Sequence, residues 1–98
     1  VDGIVFVADS QEERHDANLD TLDDMIENLK DYDLKIEEIP LVIQYNKRDL
    51  PNVLPVEVLR KDLNKWNCPD FEAVAPKGIG VLETFKEITR LVIKNLRK

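Results

Sequence analysis

LVIQYNKRDLP, residues 41–51, runs an unbroken apolar stretch straight into an amide, two cations and a carboxylate, then closes on a proline. A short continuous apolar run of this kind suits a strand buried on both faces, as in a parallel sheet. The polar cluster then falls at the strand's carboxyl end, which is where open parallel α/β sheets bind ligands. Asn46, Lys47, Arg48 and Asp49 therefore stand either at a site or in an ordinary polar turn, since those residue types serve both.

Working outward, GIVFVAD (3–9) is a second apolar run and reads as the strand before it. Between them Leu19, Leu22, Met25, Ile26 and Leu29 recur at three- and four-residue spacing, the mark of an amphipathic helix with a solvated acidic outer face. Pro40 closes a polar connection into the strand at 41–45. Pro51 and Pro55 bracket a turn, and Val56, Leu59 and Leu63 form the stripe of a second helix with Pro55 near its first position. FEAVA (71–75) is expected as the third strand, and Gly78 and Gly80 flank the loop after it. The last helix is expected to bury Leu82, Phe85, Ile88, Val92 and Leu96. Strict alternation of strand and helix predicts an α/β fold: a parallel sheet with right-handed crossovers and helices on its faces, in three layers.

Composition sets the class. Ninety-eight residues make one domain, 1–98, with 43% apolar and 35% charged residues, as in ordinary soluble proteins. A net charge of −6 argues against nucleic acid or an anionic membrane as partner. It leaves open a small anionic ligand held by local groups. Cys68, the one cysteine, has no partner for an internal disulfide, which fits a reducing, cytoplasmic setting. It is expected to be buried or half-buried, and His15, in a polar acidic run, to be solvated. No stretch approaches the roughly 20 apolar residues of a membrane span, and no signal peptide is evident. The start on Val1, almost inside a strand, reads as part of a longer protein.

The chemistry of Asp49 separates the purines. A carboxylate only accepts hydrogen bonds, and guanine offers it adjacent N1 and N2 donors. Adenine would set a lone pair against the charge. A site built on such pairing rejects the mismatched base by about 10⁴-fold. Asn46 can offer its amide to the base or tie loops together, and the stem of Lys47 can cover a flat ring while its ammonium stays wet. A backbone N–H at Ala75 can donate to guanine O6.

NKRD (46–49) matches the NKxD guanine motif of Ras-like GTPases. EAVAPKGIGV (72–81) resembles their second base loop, and VDGIVFVADSQEER (1–14) resembles the strand after switch II in Arf-like and bacterial members. The chain thus resembles the C-terminal half of a bacterial Ras-like small GTPase of the gliding-motility and polarity type. This implies a P-loop-NTPase-like half domain with a base site at Asn46, Lys47, Asp49, Val74, Ala75 and Pro76. Val74 stands where the family has a serine and Pro76 where it has a lysine, so base affinity is expected to be lower while the Ala75 backbone donor is kept.

For the intact protein the resemblance implies a GTP/GDP switch using Mg²⁺, a roadblock-fold GTPase-activating protein and motility effectors. No G-x-x-x-x-G-K-[ST] occurs, and Gly3, Gly78 and Gly80 cannot assemble one. The magnesium threonine of switch I and the DxxG segment are missing too. The chain itself is therefore expected not to hydrolyse GTP, and to bind partners weakly because these mostly read the switches. It is also expected to self-associate through strand 3–9, or to fold more loosely around it, since in the family that open edge would be covered. A second class stands beside this one: a non-enzymatic interaction domain that has lost nucleotide binding, favoured by Val74 and Pro76. A receiver or flavodoxin-like domain, with Asp9 as phosphoacceptor, lacks the expected acidic neighbours.

Overall fold

A computed structural model describes residues 2–97. The strands are β1 (Ile4–Asp9), β2 (Leu41–Asn46) and β3 (Asp70–Glu72), and the helices are α1 (His15–Asp31), α2 (Val56–Leu63) and α3 (Val81–Leu96). Their order is the alternation read from the sequence. The sheet runs β1-β2-β3, with both neighbouring pairs parallel. Ile4 lies beside Leu41, and the register holds to the strand ends, where Asp9 lies beside Asn46.

Alternation along the strands divides the sheet between two helical layers. Phe6, Ala8, Leu41, Ile43 and Tyr45 point to one face and form a core with Leu22 and Leu29 of α1 and Leu59 and Leu63 of α2. Tyr45 is completely buried at the centre of this layer. Each large side chain so buried contributes about 1.5–3 kcal/mol. Gln44 points to the opposite face, where its amide donates to Thr84 Oγ1 of α3 at 2.9 Å. α1 and α2 therefore cover one face and α3 the other, the three layers expected.

Three expectations need correction. The third strand ends at Glu72, short of FEAVA 71–75, because the chain then turns to other partners. Ala73 O accepts from Arg48 N–H, Val74 pairs back on Ile79, and Ala75–Lys77 form a 3-10 turn with Pro76 at its second position. The buried stripe of α3 is also displaced. Leu82, Phe85 and Leu96 are 57%, 58% and 72% exposed, while Thr84 is fully buried and Ile88 and Val92 are partly buried. Two apolar stripes share this helix, and only one meets the sheet. His15, finally, is not solvated: it is largely enclosed, with Nε2 2.7 Å from Asp62 Oδ2, which links the start of α1 to α2. Cys68 is half-buried as expected. Burial, and secondarily the charge of Asp70, pushes its thiol up to about 11.

Gly80 opens α3 at φ +78°, and a Cβ there would lie 2.2 Å from Glu72 O. Only glycine fits between β3 and the helix start. At the other edge of the sheet, under the same helix, a Cβ at Gly3 would meet Val92 at 2.7 Å and Ile88 at 3.2 Å, so this flank of α3 lies over the start of β1.

Candidate functional site

Asn46 ends β2, and its side chain reaches the second loop: Oδ1 accepts from Ala75 N–H at 3.0 Å. The two segments singled out in the sequence therefore meet at the carboxyl edge of the sheet. The same bond engages the backbone donor that base recognition would direct at guanine O6. Among the described residues Asn46 Nδ2 donates to no protein group.

Lys47 follows in a left-handed conformation, φ +64°. That costs a non-glycine residue about 1–2 kcal/mol, so its neighbours must hold it there. Its ammonium forms an ion pair with Asp9 Oδ2 at 3.0 Å. Arg48 braces the loop. Its Nε lies 3.0 Å from Glu72 Oε1, its Nη1 donates to Leu54 O at 2.6 Å, and its N–H donates to Ala73 O. Asp49 is exposed, and among the described residues no hydrogen bond to its carboxylate is formed. It is an acceptor facing water.

The remaining site positions divide by burial. Ala75 and Pro76 are exposed beside Asn46, whereas the Val74 side chain is buried and its N–H is taken by Ile79 O at 3.0 Å. Val74 thus packs the loop from beneath and presents no polar group. Gly78 at φ +73° closes the 3-10 turn.

Sequence reasoning missed the support at the end of β1. Asp9 accepts from Gln11 N–H at 3.1 Å and from Gln11 Nε2 at 3.0 Å. Asn18 of α1 clamps its backbone: Asp9 N–H donates to Asn18 Oδ1 and Asn18 Nδ2 donates to Asp9 O at 2.7 Å. Burial pushes the Asp9 carboxyl up, but the Gln11 and Lys47 contacts outweigh it and hold the group below its ordinary 3.8. The available signal was position, since Asp9 closes its strand as Asn46 closes the next. Past the strand ends Ser10 N–H donates to Asn46 O, and Leu54 N–H to Ser10 O, which fastens the residues 50–55 turn to the site.

A second polar cluster underpins β3. Asp70 accepts from the Tyr45 hydroxyl at 2.8 Å, from Arg60 Nε at 2.8 Å and from Asn64 Nδ2 at 3.0 Å. Burial raises its carboxyl, and those donors together bring it below the usual range. Burial, then the bond to Asp70, raises the Tyr45 hydroxyl well above its ordinary value.

Among the described residues no three His, Cys, Asp or Glu side chains gather as a metal site. Among those residues no helix is long and apolar enough to cross a membrane.

No protein-family model matches the chain. Over all 98 residues it is 52% identical to the Mutual gliding-motility protein MglA of Myxococcus xanthus (strain DK1622), and it spans 50% of that protein's length. Identity of this order over the whole chain, on a parallel α/β sheet with helices on both faces, carries fold as well as ancestry. Over its whole length the chain is thus similar to half of MglA, which supports a C-terminal part of an MglA-like, Ras-like protein with the α/β fold of half such a domain.

Proposed function

We propose that this chain is the guanine-recognising part of a Ras-like GTP/GDP switch that governs bacterial gliding motility or cell polarity. The observation that carries this reading is the Asn46–Ala75 bond, which gathers the two base loops beside an unpaired Asp49 carboxylate. Asp49 would accept from guanine N1 and N2, Asn46 would offer its amide, and Lys47 would cover the ring. Phosphate and Mg²⁺ contacts belong to the rest of the intact protein, as does GTP hydrolysis. There the relevant partners would be a roadblock-fold GTPase-activating protein and motility effectors.

Titration of the 98-residue chain with GDP and ADP, followed by amide NMR, tests the reading. GDP-selective shifts confined to residues 46–49 and 74–77 are expected, at an affinity of about millimolar, near −4 kcal/mol. Asp49→Asn should abolish the preference over ADP. A spectrum indifferent to both nucleotides would instead favour a non-enzymatic interaction domain on a GTPase scaffold. The engaged Ala75 N–H and the proline at 76 are the features on that side.

A further inference from the structure

The Asp9–Lys47 ion pair joins the ends of two neighbouring strands. Asp9 closes β1, Lys47 follows the last residue of β2, and the register sets Asp9 beside Asn46. To bring its ammonium to Asp9, the aliphatic stem of Lys47 has to span from the end of β2 to that of β1. It thereby lays a strip of methylene across the carboxyl edge of the sheet. The anchor is rigid: Asn18 holds Asp9 by both its backbone groups, and Gln11 holds its carboxylate. Among the described residues, the Lys47 ammonium has Asp9 as its only ion-pair partner.

We propose that Asp9 is a positioning residue for the nucleobase, tethering Lys47 so that its stem is already laid out as a stacking surface when a purine arrives. The inference rests on the base-recognition reading for its ligand and adds a residue which that reading does not contain. Half-exposed lysines in water sample many rotamers, and ordering one on binding weakens affinity. A carboxylate fixed from α1 removes that cost beforehand. The role is independent of Asp49, because stacking reads a flat ring and ignores the 2-amino group.

A double-mutant cycle tests it. Dissociation constants for GDP and for inosine diphosphate, which lacks the 2-amino group, are measured by NMR on the wild-type chain, Asp9→Ala, Lys47→Met and the double variant. Asp9→Ala should weaken both nucleotides by the same factor, about twofold to tenfold, the span that ordering one long side chain accounts for. Asp9→Asn, which retains an acceptor oxygen, should recover part of the loss. In the Lys47→Met background Asp9→Ala should have no further effect. An equal loss with and without the ammonium makes Asp9 a general structural residue and overturns the proposal. So does unchanged GDP affinity in an Asp9→Ala chain whose spectrum is otherwise that of the wild type. A wild-type chain without GDP-selective shifts overturns the guanine reading and this inference together, so the two failures are told apart.

Discussion

The carboxyl end of the sheet and the outer flank of α3 are finished very differently. At the sheet's end the loops are stitched by Asn46 to Ala75, Lys47 to Asp9 and Arg48 to Glu72. On α3, Leu82, Phe85, Ile93 and Leu96 stand in water, with Lys86 and Arg90 at their border. Val92 lies over Gly3, and 100° per residue carries the exposed stripe on past Val92 in the same sense, toward the unpaired side of β1. There Val7 is 53% exposed. The site end is accounted for by contacts within the chain. The flank has the character of a surface meant to be covered, since soluble domains rarely leave a contiguous apolar patch beside a free strand edge.

Gly80→Ala should break the finished region hardest. Its methyl would meet Glu72 O at 2.2 Å in a left-handed conformation. A loss of about 2–4 kcal/mol by urea unfolding is expected. Gly78→Ala shares the left-handed angle but has nothing within 4 Å, so about 1 kcal/mol is expected there. Equal effects would show that the clash is relieved by movement of β3.

Acid should come next. The folded-state carboxyls of Asp70 and Asp9 lie below their ordinary 3.8, so their stabilisation is complete above the unfolded value and vanishes as pH falls through the folded one. Tm should be level from neutral pH to about 5 and drop below about 4. Asp70→Asn should flatten that drop and cost about 1–3 kcal/mol at neutral pH, because Arg60 and Tyr45 lose a charged acceptor. A melting curve that ignores pH between 2 and 5 in the wild type would contradict both assignments.

The flank should respond least in stability and most in association. Phe85→Lys should change the unfolding free energy by less than about 0.5 kcal/mol. The wild-type chain is expected to self-associate in sedimentation, and Phe85→Lys or Val7→Lys to shift it toward monomer. A monomeric wild type at high concentration would mean that neither edge nor flank is adhesive by itself.

Much of this architecture was legible because it rests on local pattern. Apolar runs marked β1 and β2, and three- and four-residue spacing marked α1. α3 misled because Leu82, Phe85 and Leu96 keep helical spacing as faithfully as Thr84, Ile88 and Val92 do. Periodicity reports that a stripe exists, and a threonine does not advertise the buried one. β3 ended early because Val74 found Ile79, a hairpin-like pairing that depends on the left-handed glycines. The loops at 46–49 and 72–81 could be read as motifs. Their braces could not, since Lys47 meets Asp9 and His15 meets Asp62 only once the register and the crossovers are set.

That register also says which changes of length the site can feel. Residues 10–40 leave β1 and return to β2 by way of α1, so a turn lengthened near Asp33 would pass unnoticed at Asn46. One residue removed from within Ile4–Asp9 would be another matter. It would exchange the faces of Phe6 and Val7 on one side of the deletion and draw the Asp9 carboxylate about 3.3 Å along the strand. Length variation among relatives should therefore gather in the crossover, and the two strands should keep their spacing even where their residues change.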